Sequence, residues 1–522
     1  MSSTLIVAQN IYAPGIPDAQ ALLIHDGVIA WIGDLATAQQ FKQDARHYVD
    51  VGDSFVAPGF VDAHVHLSAT GLNLLGFNAS HASSFRDLAE LVNEAVTTQL
   101  GEHVYLQGWD ETKWRDSLAD FNGALTTLSR SRTFYLSRID GHSAIVNGSW
   151  FEWKSAEIVS GARRESIWND LTLSASDAFV SDCVKAALEH AASNGVVAVH
   201  ENGGPTVSSE QDFEIVKQLS SRSDVAAIYP YWADLNAGNA VRLGAAGAAG
   251  DLSVDGSIGS RSAKLFETYA DATENYGLAY LEVGQIASHI VAATQLGIQG
   301  GFHAIGDEAC ARVHAGFVQA LEQVSVADIR SCRHRIEHLS MPSAESLRLF
   351  ADLGVVASVQ PAFDSTWGGP GGMYESRLGS SRLSNTHPFG DMVKAGVVLA
   401  FGSDSPVTEI RPWNWVRAAT NHHQIDQRIS LRASFNAATR GGHRAARNDD
   451  SGVLTIGAPA DIAIWQVASF TESAGTDLAS SWSTDPRSGT HALPDLSGPD
   501  PLCLGTLRNG RIIYNPEGLF SA

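Results

Sequence analysis

Two histidines one residue apart, His64 and His66, are the side chains of this chain that are best suited to hold a metal ion. They end the apolar run 60–66, which follows Pro58 and predicts a buried strand. Residues two apart lie on the same face of a strand, so both imidazoles point the same way. A divalent ion satisfies two buried imidazole nitrogens at once, whereas packing alone leaves each of them in need of a polar partner.

Three more metal-compatible side chains stand at the ends of other apolar runs. His303 and His338 end the fifth and sixth predicted strands, and Asp404 follows the eighth. Taken singly, each has a structural explanation, such as a helix cap or a buried polar layer. Their equivalent positions on the strands of one fold instead favour a single metal centre that gathers all five side chains.

The elements that would position these side chains are apolar runs of four to seven residues that alternate with helix-like stretches, which is typical of a parallel sheet with crossover helices. Eight such strands predict an α/β fold, namely a TIM (β/α)8 barrel with a large insertion after strand 1. The carboxyl ends of the strands surround one mouth of such a barrel, where side chains distant in sequence converge. The predicted strands are 60–66, 195–201, 225–230, 250–255, 298–303, 333–338, 354–360 and 396–402.

Both ends of the chain show short apolar runs separated by turn signals of the Asp-Gly and Asn-Gly type, which predict antiparallel strands. We therefore expect residues 1–57 and 451–522 to form one small β-sandwich together, since such strands need a shared apolar face. Residues 58–450 would form the barrel, and 70–190 would be the insertion, capping its mouth. Segment 466–500, rich in Ser, Thr, Asp and Pro, is expected to be a surface excursion.

The composition indicates which classes of partner the protein can bind. A formal net charge of -22, from 35 Lys and Arg against 57 Asp and Glu, repels nucleic acid and anionic lipid, so a small-molecule substrate is expected. The chain shows no basic leader and no run near the ~20 apolar residues of a membrane span, which favours a cytoplasmic location. The four cysteines lack Cys-x-x-Cys spacing and predict neither a disulfide framework nor a thiolate zinc site. A homodimer remains open.

The combined motifs resemble the amidohydrolase superfamily of metal-dependent hydrolases. The resemblance rests on the His-x-His of strand one, the histidines of strands five and six and the aspartate of strand eight, and it spans nearly the whole chain. Longer runs are similar to the branch that contains N-substituted formamide deformylase, within amidohydrolase family 3. These runs are 60–66, 140–142, 255–261, 303–307, 335–338 and 401–406.

The resemblance implies a ligand set. His64, His66 and Asp404 would hold one metal, and His303 and His338 would either hold a second or, in a mononuclear site, respectively ligate the ion and polarise the substrate. Imidazole and carboxylate ligands favour Zn²⁺ over Mn²⁺, Fe²⁺ or Ni²⁺, so one or two zinc ions are the expected cofactor.

It also implies a reaction. Metal-bound hydroxide would attack the carbonyl of an amide or N-substituted formamide-like substrate and cleave its C–N bond. Asp404 and His338 would be the catalytic residues: Asp404 accepts the proton of water and returns it to the departing amine, and His338 helps to polarise the carbonyl. A deaminase or a decarboxylase on the same scaffold is the close alternative, and a non-catalytic metal-binding protein is another.

One position departs from the pattern of the family. Where relatives carry a lysine, often carboxylated to bridge two metals, this chain has Asp251. An aspartate is several atoms shorter, which favours a mononuclear site or a bridge that is built differently. His200 and Glu201 are conceivable substitutes, although supporting roles are favoured for both. Arg335 and Glu337 alternate along the strand that ends at His338 and predict a buried ion pair that orients the ligands.

Three residues are candidates for substrate binding. Trp109 in the insertion and Trp232 after strand three would line a pocket beneath the cap and favour an apolar or aromatic N-substituent, and the equally weighted alternative is that they only pack their own region. His142, in the Asp-Gly-His run, is placed near the active site by the resemblance alone.

Overall fold

The computed structural model of the chain describes residues 3–13, 15–16, 18–99, 103–147, 155–471 and 492–520. These residues form a strand-rich body built from both chain ends, a ring of parallel strands surrounded by helices, and an inserted sheet. Most of segment 466–500, which we expect to be a surface excursion, lies outside the described residues. None of the described helices is long and apolar enough to cross a membrane.

Short strands joined by tight turns make up the N-terminal region. Asp26 and Gly27, at φ 47° and 87°, adopt the left-handed conformation that a two-residue hairpin turn requires. The elements are β1 (Ser3–Val7), β2 (Asn10–Ile11), β3 (Ala21–His25), β4 (Val28–Gly33), α1 (Leu35–Ala38), β5 (His47–Asp50) and β6 (Phe55–Pro58). Four of these strands pair in the order β4-β3-β1-β5, while β2 and β6 belong to a second sheet.

The first strand of the ring leads directly into the insertion. The elements are β7 (Phe60–Val65), α2 (Leu67–Leu75), β8 (Phe77–Asn78), α3 (Phe85–Thr98), β9 (His103–Trp109), a 3-10 turn (Glu111–Lys113), α4 (Leu118–Ala124), α5 (Thr127–Ser131), β10 (Thr133–Arg138), β11 (Ser143–Asn147), β12 (Glu157–Ser160) and α6 (Gly161–Ser174). Strands β12-β11-β10-β9-β8 form one sheet. Leu88, Val92 and Val96, spaced by one helical turn on α3, pack into its core.

Strands and helices alternate through the rest of the ring. The elements are α7 (Asp177–Ser193), β13 (Val196–Gly203), α8 (Glu210–Ser220), β14 (Ala227–Trp232), α9 (Ala237–Leu243), β15 (Gly247–Ala248), α10 (Val283–Gln295), β16 (Gln299–Ala304), α11 (Asp307–Ala320), α12 (Val326–Cys332), β17 (Arg335–His338), α13 (Ala344–Asp352), β18 (Val356–Val359), α14 (Pro361–Trp367), α15 (Met373–Leu378), α16 (Ser380–Leu383), α17 (Phe389–Ala395), β19 (Val398–Phe401), α18 (Pro412–Thr420), a 3-10 turn (Ile425–Gln427), α19 (Leu431–Ala438) and α20 (Arg440–Ala445).

The eight ring strands form two parallel sheets, β14-β13-β7 and β15-β16-β17-β18-β19. Individual hydrogen bonds bridge the gaps between the sheets. Ala246 N donates to Pro230 O at 2.7 Å on one side, and Asp404 N donates to His64 O at 2.8 Å on the other. The ring is therefore TIM-barrel-like without one continuous ladder, and the second bridge fixes the backbone of Asp404 beside that of His64.

The predicted fourth strand, 250–255, is wrong, because the strand is β15 and ends at Ala248. Gly250 adopts φ 98°, a conformation that turns the chain out of the strand direction. The segment after it exchanges backbone hydrogen bonds of 3.1 and 2.9 Å with His303 on β16. This irregular stretch carries Asp251 to the carboxyl end of the ring.

Strands from the two chain ends share a sheet. The C-terminal strands are β20 (Ile462–Gln466), β21 (Leu502–Arg508) and β22 (Arg511–Tyr514). Strand β20 lies antiparallel between β6 and β21, which gives the order β2-β6-β20-β21-β22. Ile6, Leu22, Val56 and Ile464 belong to one buried cluster that joins this sheet to the N-terminal one.

Candidate metal centre

Six side chains meet at the carboxyl ends of the ring strands. Five are the predicted ligands and the sixth is Asp251, and none is more than 16% exposed. They are His64 in β7, His66 directly after β7, Asp251 after β15, His303 in β16, His338 at the end of β17 and Asp404 after β19.

His64, His66, Asp251 and Asp404 form the first group of donor atoms. His66 Nε2 lies 3.2 Å from both Asp251 Oδ2 and Asp404 Oδ1, and His64 Nε2 lies 3.3 Å from Asp404 Oδ1. All four donor atoms lie within 4.8 Å of one another. Ligand atoms that share one ion at about 2.0–2.2 Å have separations of this order.

A second group shares Asp251 with the first. Asp251 Oδ1 lies 3.3 Å from His303 Nδ1 and 3.5 Å from His338 Nε2. Asp251 therefore belongs to both groups of candidate ligands. The short aspartate reaches both groups because the backbone after β15 leaves the strand and brings the carboxylate between them.

The strand-one histidines are fixed from behind by acceptors. His64 Nδ1 donates to Glu337 Oε2 at 2.8 Å, and His66 Nδ1 donates to the backbone carbonyl of Asn202 at 3.1 Å. A neutral imidazole whose Nδ1 carries the hydrogen has its lone pair on Nε2. Both Nε2 lone pairs therefore point into the centre.

The other two histidines are fixed in the same manner. His338 Nδ1 donates to Gln360 Oε1 at 2.8 Å, which leaves the Nε2 lone pair facing Asp251. His303 is turned the other way round: Nε2 donates to the carbonyl of Gly256 at 3.3 Å, and Nδ1 faces Asp251. Acceptors behind metal-bound histidines commonly orient the ring in this way.

One ring nitrogen of each of the four histidines faces the carboxylates of Asp251 and Asp404, and His64 Nε2 is buried without a hydrogen-bond partner among the described residues. Such a nitrogen binds a cation when the ring is neutral and carries a proton when the ring is charged. Burial disfavours a charge on His66, yet the two carboxylates outweigh it and raise its pKa to about 10. Burial also opposes the charge of Asp251, but the surrounding histidines hold its pKa well below the usual range. The residues fit a divalent cation, which supplies the positive charge that this arrangement stabilises.

The predicted ion pair of Arg335 and Glu337 is confirmed. Arg335 Nη2 donates to Glu337 Oε2 at 2.9 Å, and both side chains are fully buried. Burial opposes the charge of Glu337, but Arg335 and His64 outweigh it and lower its pKa to about 2. His200 Nδ1 lies 2.8 Å from Arg335 Nη1, and Glu201 accepts a hydrogen bond of 2.6 Å from a backbone N–H of α2. Both therefore support the centre from outside the two ligand groups.

Two ligands are held on left-handed backbone, His338 at φ 68° and Asp404 at φ 55°. Such conformations are costly for residues other than glycine and often occur at functional sites. Buried Asp62 accepts hydrogen bonds from Ser403 N at 2.9 Å and from Ser403 Oγ at 2.6 Å, which fixes the chain just before Asp404. Burial raises the pKa of Asp62 to about 6, although the bonds from Ser403 oppose the shift.

The centre opens into a cavity of about 870 Å³. His66 and Asp404 line it on the barrel side, together with Phe363. The insertion lines it too, through Tyr105 and Trp168. The cavity therefore lies between the insertion and the candidate metal ligands.

Trp109 and Trp232 lie in packed interiors and do not line the cavity, which corrects the expectation that they contact substrate. Trp109 is 1% exposed, packs on Phe85 and donates its Nε1–H to Leu136 O at 2.8 Å. Trp232 is 2% exposed and packs edge-to-face on Phe213. Large aromatic side chains gain most from full burial, so the alternative that these tryptophans pack their own region describes them.

His142 does line the cavity. Its ring centroid lies 5.3 Å from that of His303. Burial, with a further contribution from the charge of His303, lowers the pKa of His142 to about 3, so its imidazole is neutral. It remains a candidate for contact with a substrate.

Other lining residues were not singled out from the sequence. Phe363 stacks against the ring of His338, with interplanar angle 12° and centroids 6.0 Å apart. It follows strand β18, so its place at the carboxyl end of a strand could have pointed to it. Arg164 and Trp168 lie on α6 of the insertion, whose docking on the barrel no local pattern predicts.

A third set of metal-compatible side chains, Asp364, His422 and His423, is not among the residues that line the cavity, although Asp364 directly follows Phe363. His423 N donates to Asp364 Oδ2 at 3.0 Å, and His423 Nδ1 donates to Asp364 Oδ1. These contacts tie α14 to the loop after α18. Hydrogen bonds between the two elements therefore account for the proximity of these three side chains.

Comparison with known proteins gives a family and a fold. Residues 48–514 match the family described as "Amidohydrolase family". "Protein LONG AFTER FAR-RED 3" of Arabidopsis thaliana is 28% identical over 517 residues, which cover 88% of this chain and 85% of the relative. A crystal structure of an uncharacterized metal-dependent hydrolase from Pyrococcus furiosus has a TM-score of 0.69 at 23% identity, covering 88% of this chain and 98% of that one. One from Pyrococcus horikoshii OT3 has 0.71 at 22%, covering 89% and 97%. At these sequence identities the two structures support the fold alone.

Proposed function

The chain belongs to the amidohydrolase family, and from that premise we propose that it is a metal-dependent hydrolase that cleaves the C–N bond of an amide or N-substituted formamide. The observation that carries the proposal is the set of four histidine ring nitrogens that face two carboxylates at the open end of the barrel. The description of the two Pyrococcus proteins as metal-dependent hydrolases supports it.

The donor set favours two zinc ions. His64, His66 and Asp404 would hold one, His303 and His338 the other, and Asp251 would be common to both. Imidazole and carboxylate donors suit Zn²⁺. Such an ion, when bound, lowers the pKa of water to about 7 and polarises a carbonyl oxygen.

Asp404 is the proposed proton carrier. It lines the cavity beside His66, and although burial opposes its charge, His64 and His66 hold the pKa of this carboxyl below its usual range. The carboxylate accepts a proton from the attacking water and delivers it to the leaving nitrogen. A C–O bond forms, the C–N bond breaks, and a carboxylic acid and an amine leave the site.

His338 is the proposed neighbour of the carbonyl. Burial and the charge of His303 lower the pKa of His338, so its ring is neutral, and Gln360 fixes which nitrogen faces the centre. If the centre holds a single ion, this ring is free to polarise the carbonyl oxygen instead of acting as a ligand.

The alternatives to an amide hydrolase differ in the product that they release. A deaminase releases ammonia, and a decarboxylase releases carbon dioxide. A non-catalytic metal-binding protein releases nothing. The resemblance to N-substituted formamide deformylase favours formate and a primary amine as products.

The test is metal analysis followed by a substrate panel. Purified protein, reconstituted with zinc, is assayed on N-phenethylformamide and on other amides, esters and lactams, with formate, amine, ammonia and carbon dioxide measured separately. We expect about two zinc ions per chain and equal amounts of acid and amine. Protein that binds no metal contradicts the centre, and metal-loaded protein that is inert to the panel contradicts the hydrolase.

A further inference from the structure

Among the described residues that line the cavity, Arg164 is the one arginine or lysine. It lies on α6 of the insertion. No carboxylate of the described residues lies within 4 Å of its guanidinium, and its Nε is buried without a hydrogen-bond partner among them. An arginine that lines a cavity and has no ion pair is unusual, because a desolvated charge without a partner is costly.

The neighbours of Arg164 do not neutralise its charge. Arg164 interacts with the Tyr135 hydroxyl, whose pKa burial raises while the arginine opposes the shift. A neutral hydroxyl can accept a hydrogen bond, but it carries no charge. Glu165 also lines the cavity and helps to keep the pKa of Arg164 high against the effect of burial, yet it forms no ion pair with Arg164.

Arg164 lines the same cavity as His142 and the candidate ligands His66, His303 and Asp404. The ring of His142 lies against that of His303, with centroids 5.3 Å apart. A molecule that fills this cavity therefore contacts both Arg164 and the centre.

Arg164 places a positive charge on the insertion side of the cavity, and this charge attracts an anionic group there. The carboxylates of Asp251 and Asp404 belong to the metal centre, where bound cations would offset them. Trp168, one turn after Arg164 on α6, packs against the rings of Tyr105 and Tyr135 and adds an aromatic wall beside the guanidinium. The planar guanidinium matches a carboxylate, to which it can donate two parallel hydrogen bonds.

We propose that Arg164 binds a carboxylate of the substrate, so that the compounds hydrolysed are N-acyl or N-formyl amino acids with an apolar side chain. That these compounds are hydrolysed rests on the proposed function. That Arg164 binds their carboxylate does not depend on turnover.

The experiment uses a pair of sulfonamides that carbonyl attack cannot cleave, N-methylsulfonyl-L-phenylalanine and N-methylsulfonyl-phenethylamine, which differ only in the carboxylate. Each is titrated calorimetrically into the zinc-loaded protein and into Arg164→Gln. We expect the native protein to prefer the carboxylate compound by about 10- to 100-fold. We expect Arg164→Gln to lose that preference while its affinity for the neutral compound changes less than about twofold.

Two further variants keep the test decisive. Arg163→Gln removes the same charge from the adjacent residue, which is 45% exposed and pairs with Glu157, and should leave the preference intact. Arg164→Lys keeps the charge without the planar fork and should retain part of the preference even if Arg164→Gln does not fold. A preference that survives in both Arg164 variants assigns the carboxylate to the metal centre and overturns the proposal. Equal binding of the two compounds to native protein, or no binding of either, also overturns it.

Turnover separates this inference from the proposed function. N-Formyl-L-phenylalanine and N-phenethylformamide form the matching hydrolysable pair, and Arg164→Gln should raise KM for the first without changing kcat/KM for the second. If neither compound is hydrolysed while the sulfonamide preference holds, the proposed reaction fails and the carboxylate site stands. If both are hydrolysed at equal kcat/KM and the sulfonamides bind equally, the carboxylate site fails and the hydrolase stands.

Discussion

Glu337 accepts a hydrogen bond from His64 Nδ1 over 2.8 Å, and both side chains are fully buried. The same carboxylate is paired with Arg335, so the histidine ligand is held by a group that cannot itself move into the centre. The tautomer of His64, and with it the direction of the Nε2 lone pair, depends on this contact.

Glu337→Gln is expected to weaken metal binding. The amide keeps the shape of the side chain but lacks the negative charge that balances Arg335 and strengthens His64 as a ligand. Loss of such an outer contact typically costs about 10- to 100-fold in metal affinity. Competition with a chelator of known zinc affinity measures it.

Glu345→Gln is the matched control, because Glu345 is exposed in the first turn of α13. It should leave zinc affinity unchanged. Native-like affinity in Glu337→Gln, with native thermal stability, would show that His64 does not depend on this contact.

Asp251→Asn is expected to change the number of ions bound. Its carboxylate lies within 3.6 Å of histidine nitrogens in both ligand groups. A neutral amide lacks the negative charge that offsets the repulsion between two cations. The zinc content measured by metal analysis should therefore fall from about two ions per chain to about one or fewer. Asp224→Asn, a surface change, should retain the native content. Two ions in Asp251→Asn would exclude the bridge.

Asp404→Asn tests the proton carrier at saturating zinc. The amide oxygen can still face an ion, but it cannot accept and return a proton at neutral pH. We expect kcat to fall by about 10²- to 10⁴-fold while metal content is largely kept. Normal turnover with metal bound would remove Asp404 from this role.

The repeating part of the fold could be predicted from the sequence because buried parallel strands are nearly continuous apolar runs. Seven of the eight ring strands overlap their predicted ranges. The fourth does not, since a two-residue strand leaves no periodic signal, and the apolar residues after Gly250 belong to an irregular segment. Local patterns do not distinguish such a segment from a strand.

The centre was predictable where the backbone repeat dictates direction. A His-x-His at a strand end must present both rings on one face, and barrel strands bring His303 and His338 to the same mouth. The reach of Asp251 was not predictable, because it depends on how far the chain leaves the strand. Nor was the burial of Trp109, which is decided by the packing of the insertion on itself.

Arg138 occupies the contact between the insertion and the barrel, with 1% of its side chain exposed. It donates to Asp110 at 2.9 Å, to Glu111 at 2.8 Å and to Asp140 at 2.8 Å. Asp140 accepts hydrogen bonds of 2.7 and 2.9 Å from the hydroxyls of Ser257 and Ser260, which belong to the barrel. One buried guanidinium thereby links the three carboxylates that dock the insertion beside the cavity.

Arg138→Met is expected to destabilise the insertion and loosen its docking. Methionine fills part of the volume, but Asp110 and Asp140 lose their cation, while Glu111 keeps its pair with Arg377. Breaking a buried pair in this way costs about 3–5 kcal/mol. Thermal unfolding should begin at lower temperature, and limited proteolysis should cut within 103–147 before the barrel. Arg222→Met breaks an exposed pair with Asp224 and should change neither readout. If Arg138→Met unfolds and is cleaved like the native protein, the insertion is held by its apolar contacts and the ion pairs are incidental to its docking.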